Sequence, residues 1–387
     1  MIEIDSQYID QALADSSSRV PGLSAMVSSE ENTLYKGHFG YLDLEKKLPV
    51  DDNSLFRIAS MTKAVTSTCI MQLIERGELS LDTELKKFFP EVASKKIIEG
   101  FNENDQPIYS EVTNAVNISH LLSHSSGFGY EMWNENITKL VGRGELVSMM
   151  TNKKEFLDAP LLFNPGSAWE YGIGIDWLGV LIEKISDMSL QDYMKENIFN
   201  PLGMNDTSYD LPLSDHDRVT KVYNRTGENF AEIPFGVTET FDFYSGGGGL
   251  ISNTEDYSTF LKIFLNKGKG NGSQVLKESS IQTMLVSSDK NIKMNKLPTS
   301  APPLTEDMEI MPGIDKSWSP GFMINHEESQ TGRPKESAGW AGLFNSYFWI
   351  DTENKIVSVV LMQMLPFLEK GCVQTLEEFE SSIYKNK

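Results

Sequence analysis

Cysteine is nearly absent: Cys69 and Cys372 are the two in 387 residues. That excludes a scaffold stapled by disulfides, and two cysteines so far apart read as reduced, small apolar residues. Positive charge is scarce too, with 34 Lys and Arg against 55 Asp and Glu, a net charge of −21. Such a chain is repelled by nucleic acid and by anionic membrane surfaces, so neither is expected as a partner. No run of about 18 apolar residues occurs, so no transmembrane helix is expected. The opening MIEIDSQYIDQALADSSSRV lacks the basic and apolar regions of a secretory signal, and the expected location is cytoplasmic.

Core-forming residues are plentiful. Hydrophobic residues make up 40% of the chain, enough to hold a catalytic site rigidly. The length exceeds the roughly 250–300 residues at which one core stops growing, which favours two lobes around a cleft. Helical spacing runs over residues 5–15, and strand-like runs at 23–28 and 33–38 flank the polar turn Glu30-Glu31-Asn32. An apolar-periodic stretch from Ser60 to Gly77 reads as a helix with a glycine C-cap. Residues 81–215 are mostly helical and loop-like, with a further helix at 254–266. Residues 286–318 are polar and aperiodic and read as a long loop. Strands at 345–350 and 356–364 and a helix at 367–385 finish the chain. Strands at both ends and helices between predict an α+β protein. Residues 1–80 and 216–387 would form an α/β lobe with a central antiparallel sheet, and 81–215 a mostly helical inserted lobe, with the active site in the cleft.

Ser60-Met61-Thr62-Lys63 carries the chemistry. Residues i and i+3 share a helix face, so the Lys63 amine can reach the Ser60 hydroxyl. A partly desolvated lysine can act as base for a serine nucleophile, a known variant of the Ser-His-Asp arrangement. The helix N-terminus offers N–H groups to developing negative charge. The same pattern recurs at Ser287/Lys290 and Ser382/Lys385, in a polar loop and a terminal tail. Ser60 differs because Leu55–Ala59 precedes it as a buried entry and an apolar helix follows. His120 and His124 lie four apart, but no third ligand is near and no HExxH pattern is formed, so they read as structural and no metal is expected. The Gly246–Gly249 run lacks a following Lys-Ser/Thr, which argues against phosphate binding. No Gly-x-Ser-x-Gly elbow occurs, which argues against an α/β-hydrolase.

The stretch from Asp51 to Ser67 resembles the active-site segment of the class C β-lactamase-like serine hydrolases. That group includes DD-peptidases, family VIII carboxylesterases and related acyltransferases. Ile118–Gly127, Pro165–Gly172, Pro201–Met204, Gly246–Leu250 and Gly339–Gly342 match its further blocks, in order. The resemblance implies a β-lactamase/DD-peptidase-like fold, an antiparallel sheet flanked by helices with an inserted helical lobe. It implies that Tyr171 sets its phenol against Ser60 and Lys63. It also implies an oxyanion hole made by the backbone N–H groups of Ser60 and Leu343, each contributing about 3 kcal/mol, with Gly342 admitting substrate to an edge strand.

Two departures narrow the substrate. Lactamases read Tyr-x-Asn where this chain has Tyr171-Gly172-Ile173, so an amide that would hold a peptide-like side chain is gone. Their third block carries a cation where this chain reads Trp340-Ala341-Gly342, which puts charge-assisted recognition of a substrate carboxylate in doubt. Ile173, Trp340, Ala341 and Gly342 are the expected substrate-binding residues, favouring neutral, apolar groups, nearest the esterase branch. The expected reaction is hydrolysis of a small carboxylic ester through a Ser60 acyl-enzyme, without a cofactor. The alternatives are a β-lactamase, DD-peptidase or D-amino-acid amidase, an acyltransferase using the same residues, and a non-catalytic binding protein of the same fold.

Overall fold

The computed structural model describes residues 2–236 and 243–384. Its centre is an antiparallel sheet of eight strands drawn from the two ends of the chain. The early strands are β1 (Gly22–Ser29), β2 (Thr33–Asp43) and β3 (Leu48–Pro49), and a short ladder pairs β4 (Phe56–Arg57) with β5 (Ile251–Ser252). The late strands are β6 (Lys316–Trp318), β7 (Met323–Asn325), β8 (Ala338–Gly342), β9 (Ser346–Asp351) and β10 (Ile356–Met362). The sheet order is β6-β7-β8-β9-β10-β1-β2-β3, and the ends of the chain meet where Ala25 of β1 faces Val360 of β10.

Helices cover both faces, which is why β1, β9 and β10 are buried along nearly their whole length instead of alternating between buried and exposed. On β9, Phe348 packs edge-on against Tyr257 of one helix while the next residue, Trp349, meets Phe379 of another. The helices used below are α1 (Ser6–Ala14), α2 (Thr62–Glu75), α3 (Ile118–Leu122), α4 (Gly174–Ser186), α5 (Thr254–Leu265) and α6 (Lys370–Tyr384). Asp5 caps α1 by accepting from the N–H groups of Gln7 and Tyr8. Residues Thr62 to Leu73 of α2 are buried all round, as befits a helix inside the protein. Its hydroxyls find acceptors, Thr66 on the Gly246 carbonyl at 2.7 Å and Thr68 on that of Ala64 at 2.9 Å. Gly77, at φ +77°, ends it, with the Glu78 N–H reaching back to the Leu73 carbonyl.

Four details differ from the sequence reading. Ser60 does not open α2; it lies in a 3-10 turn, Ala59–Met61, because Ala59 at φ +43° cannot extend the helix backwards. Residues 286–318 are not all loop, since Lys316–Trp318 forms the outermost strand, too short to show a period. The middle of the chain also holds a hairpin, Lys96–Phe101 with Pro107–Glu111, whose turn is tied by the Asn102 side chain. Finally, β8 is not an edge strand, because β7 pairs with it at Gly339 and Ala338. That pairing stops there, so β7 leaves Trp340–Gly342 uncovered on that side. Lys385, of the third Ser-x-x-Lys pair, lies outside the described residues. Among the described residues no helix is long and apolar enough to cross a membrane.

Candidate active site

Ala59 holds a left-handed backbone conformation next to Ser60, the kind of local strain that clusters at functional sites. One turn on, the buried Lys63 amine spends its hydrogen bonds on three partners. It lies 3.2 Å from Ser60 Oγ, 3.0 Å from the Tyr130 phenol oxygen and 2.7 Å from the Gly247 carbonyl. Tyr130 passes its own proton on, donating to Asp176 Oδ2 at 2.6 Å. Asp176, on the first turn of α4, is fully buried and also accepts from the Gly247 N–H at 3.0 Å and from the Ser245 hydroxyl. Burial, with the Asp176 charge beside it, drives the Tyr130 phenol well above its ordinary range, so it stays neutral.

The glycines explain how the parts come so close. A Cβ at Gly247 would stand 2.4 Å from the Tyr130 hydroxyl and 2.5 Å from the Asp176 carboxylate. One at Gly342 would stand 2.3 Å from the Ile58 carbonyl, so β8 lies directly on the turn that carries Ser60. Gly342→Ala is therefore expected to destabilise the protein by about 1–3 kcal/mol. The urea midpoint should fall at unchanged slope, and an unmoved midpoint would contradict the tight contact.

The Tyr171 ring lies with its centroid 4.8 Å from the Lys63 nitrogen, and its hydroxyl accepts from the Trp340 indole N–H at 2.9 Å. Trp340 thus reaches Tyr171, a use the sequence did not suggest. Ile173 is a correction: it is 2% exposed at the start of α4 and does not line the cavity beside Ser60. The reason is local. Gly172 is pressed against the Phe128 carbonyl, which turns the chain into α4 directly after Tyr171. His124 packs beneath Tyr171 with centroids 4.7 Å apart, and burial holds it well below its usual range. His120 belongs to the cap of α3.

Ser60, Tyr171, Trp340, Ala341, Gly342 and Leu343 line one cavity of about 270 Å³. Met132, Trp133, Phe156 and Phe243 give it apolar walls. Arg57 lines it as well, donating to the backbone carbonyls of Thr220, Phe235 and Gly236. Burial pulls this guanidinium down to about 10, and no carboxylate among the described residues pairs with it. Trp340 therefore does not leave the cavity without a cation, as the third-block comparison alone suggested. Tyr130, Asp176 and Arg57 were missed in the sequence. A lone acid in the apolar run Ile173–Ile182 was the available signal for Asp176.

A family model described as Beta-lactamase matches residues 6–380. The acyltransferase calJ of Penicillium decumbens is 26% identical over 87% of this chain and 82% of its own length. The lovastatin esterase of Penicillium rubens is 24% identical over 90% and 92%. Among solved structures, the unliganded simvastatin synthase (LovD) of Aspergillus terreus has a TM-score of 0.84 at 23% identity, covering 97% of both chains. That likeness speaks for the fold. With the family match spanning nearly the whole sequence, the chain belongs to the Beta-lactamase family.

Proposed function

We propose that the protein is a serine hydrolase that cleaves small carboxylic esters through an acyl-enzyme on Ser60. The observation that carries this reading is the Lys63 amine 3.2 Å from Ser60 Oγ at the wall of an apolar cavity. Ser60 Oγ attacks the ester carbonyl as Lys63, with Tyr171, takes its proton. The N–H groups of Ser60 and Leu343 face the oxyanion, and the proton goes on to the leaving alcohol. Water, deprotonated by the same pair, then releases the acid. The domain reading stands beside this one. Residues 1–80 and 216–387 are taken as the α/β unit, consistent with the strands they supply, and 81–215 as the helical unit between them.

Acyl transfer is the second reading, because an acyltransferase and an esterase are the two fates of one acyl-enzyme and relatives carry both names. The test is turnover of short p-nitrophenyl esters with and without an added alcohol, beside a chromogenic cephalosporin. Ester turnover with little cephalosporin cleavage is expected. A growing share of transesterified product as alcohol is added would assign acyl transfer, and cephalosporin cleavage as efficient as ester cleavage would overturn the substrate class.

A further inference from the structure

The Lys63 nitrogen has four positions, one bonded to its own chain and three pointing outwards. Two of these are fixed by groups that can only accept. The Gly247 carbonyl is one, at 2.7 Å. The Tyr130 oxygen is the other, at 3.0 Å, because its own proton is committed to Asp176. The third points to Ser60 Oγ. A neutral amine has two N–H groups and one lone pair. With both N–H groups spoken for, the lone pair faces the serine proton.

Both fixed partners lead back to one side chain. Asp176 accepts the Tyr130 O–H through Oδ2, and through Oδ1 it accepts the Gly247 N–H and the Ser245 hydroxyl. We propose that Asp176 is a positioning residue, which through Tyr130 and Gly247 orients the Lys63 amine so that its lone pair addresses Ser60. The inference rests on the Ser60 acyl-enzyme reading. In the step it serves, Ser60 Oγ–H gives its proton to Lys63 Nζ, an Oγ–C bond forms, and the carbonyl π pair becomes the oxyanion. The bond to the alkoxide then breaks as that proton is returned to the leaving oxygen.

The arrangement also carries charge. Among the described residues, the titratable groups around Lys63 and Tyr130 include Tyr171, His124 and Asp176, with Tyr209 next to Asp176. Burial keeps Tyr130 and Tyr209 far above and His124 far below their usual ranges. Among the described residues, Asp176 is the carboxylate that reaches the amine through Tyr130 and Gly247, and a carboxylate placed near an amine favours its protonated form.

The test compares Asp176→Asn, Tyr130→Phe and the double variant, using p-nitrophenyl ester kinetics across pH with the folded state checked by near-UV circular dichroism. The amide introduced by Asp176→Asn keeps the shape but can donate to the Tyr130 oxygen, which turns the phenol proton towards Lys63 and its lone pair. Asp176→Asn should lower kcat about 10²-fold or more with KM nearly unchanged. The acid limb of its kcat/KM profile should move to lower pH, because removing a carboxylate near an amine favours the neutral amine. Tyr130→Phe should lower kcat at least tenfold, and the double variant should lose little beyond Asp176→Asn, since both act on one chain of contacts. A folded Asp176→Asn enzyme with kcat within twofold of wild type and an unmoved limb would overturn the proposal, as would losses that multiply in the double variant. If Asp176→Asn does not fold, Tyr130→Phe decides alone: a kcat within twofold of wild type overturns the proposal. Full activity in Ser60→Ala would instead remove the reading on which the proposal rests.

Discussion

Ser60→Ala is expected to reduce kcat/KM for a p-nitrophenyl ester by about 10³-fold or more and to abolish stoichiometric labelling by a fluorophosphonate. The variant loses one oxygen from a side chain at the cavity wall. The fold should therefore tolerate it, and the thermal midpoint should stay close to that of the wild type. What disappears is the atom that accepts the acyl group. Lys63 keeps its contacts with Tyr130 and Gly247, so the base is still present and can activate only water. Oxyanion stabilisation and substrate binding would leave a small residual rate. A variant within tenfold of wild type, or one still labelled at one equivalent, would mean that the nucleophile lies elsewhere. The other Ser-x-x-Lys serine in an irregular segment, Ser287, hydrogen-bonds to Ser317, and its Lys290 is exposed and pairs with Glu336.

The contrast between what the sequence disclosed and what it hid follows from the range of the interactions. Ser60 and Lys63 are three residues apart, and helical geometry alone brings them together. The run of buried small and apolar residues after them states that the helix is interior. The central strands were legible for the same reason, since a sheet covered on both faces makes β10 an apolar run broken only by Ser358. Tyr130 and Asp176 are 46 residues apart, and neither carries a local sign that the other will meet it. The Gly246–Gly249 run could be read as a block of the family and for what it does not bind, but not for its place, which is to let the Gly247 backbone approach Tyr130, Asp176 and Lys63. Ile173 failed as a pocket residue because its position relative to Tyr171 was taken from a motif. The tight turn at Gly172 sends its side chain into the core. The neighbours of β8 depend on where a pairing partner stops, which no periodicity within β8 encodes.

Tyr171→Phe is expected to lower kcat about 10²–10⁴-fold with a much smaller change in KM. The ring that packs on His124, Trp340 and the Lys63 nitrogen is retained, so the cavity keeps its shape and only the hydroxyl is removed. That oxygen accepts from the Trp340 indole, a group that can only donate. A donor so aimed stabilises negative charge gathering on the phenol oxygen while a proton is handed on, and the ammonium form of Lys63 over the ring adds to this. Trp340→Phe should therefore reproduce part of the loss, about tenfold, while Tyr171 remains in place. In a Tyr171→Phe background the same change should cost much less in kcat, because its partner oxygen is already gone. Tyr171→Phe acting within threefold of wild type would confine the proton transfer to Lys63 and reduce Tyr171 to a wall of the cavity. Equal losses from Trp340→Phe in both backgrounds would mean that the indole acts by shaping the pocket and not through the phenol.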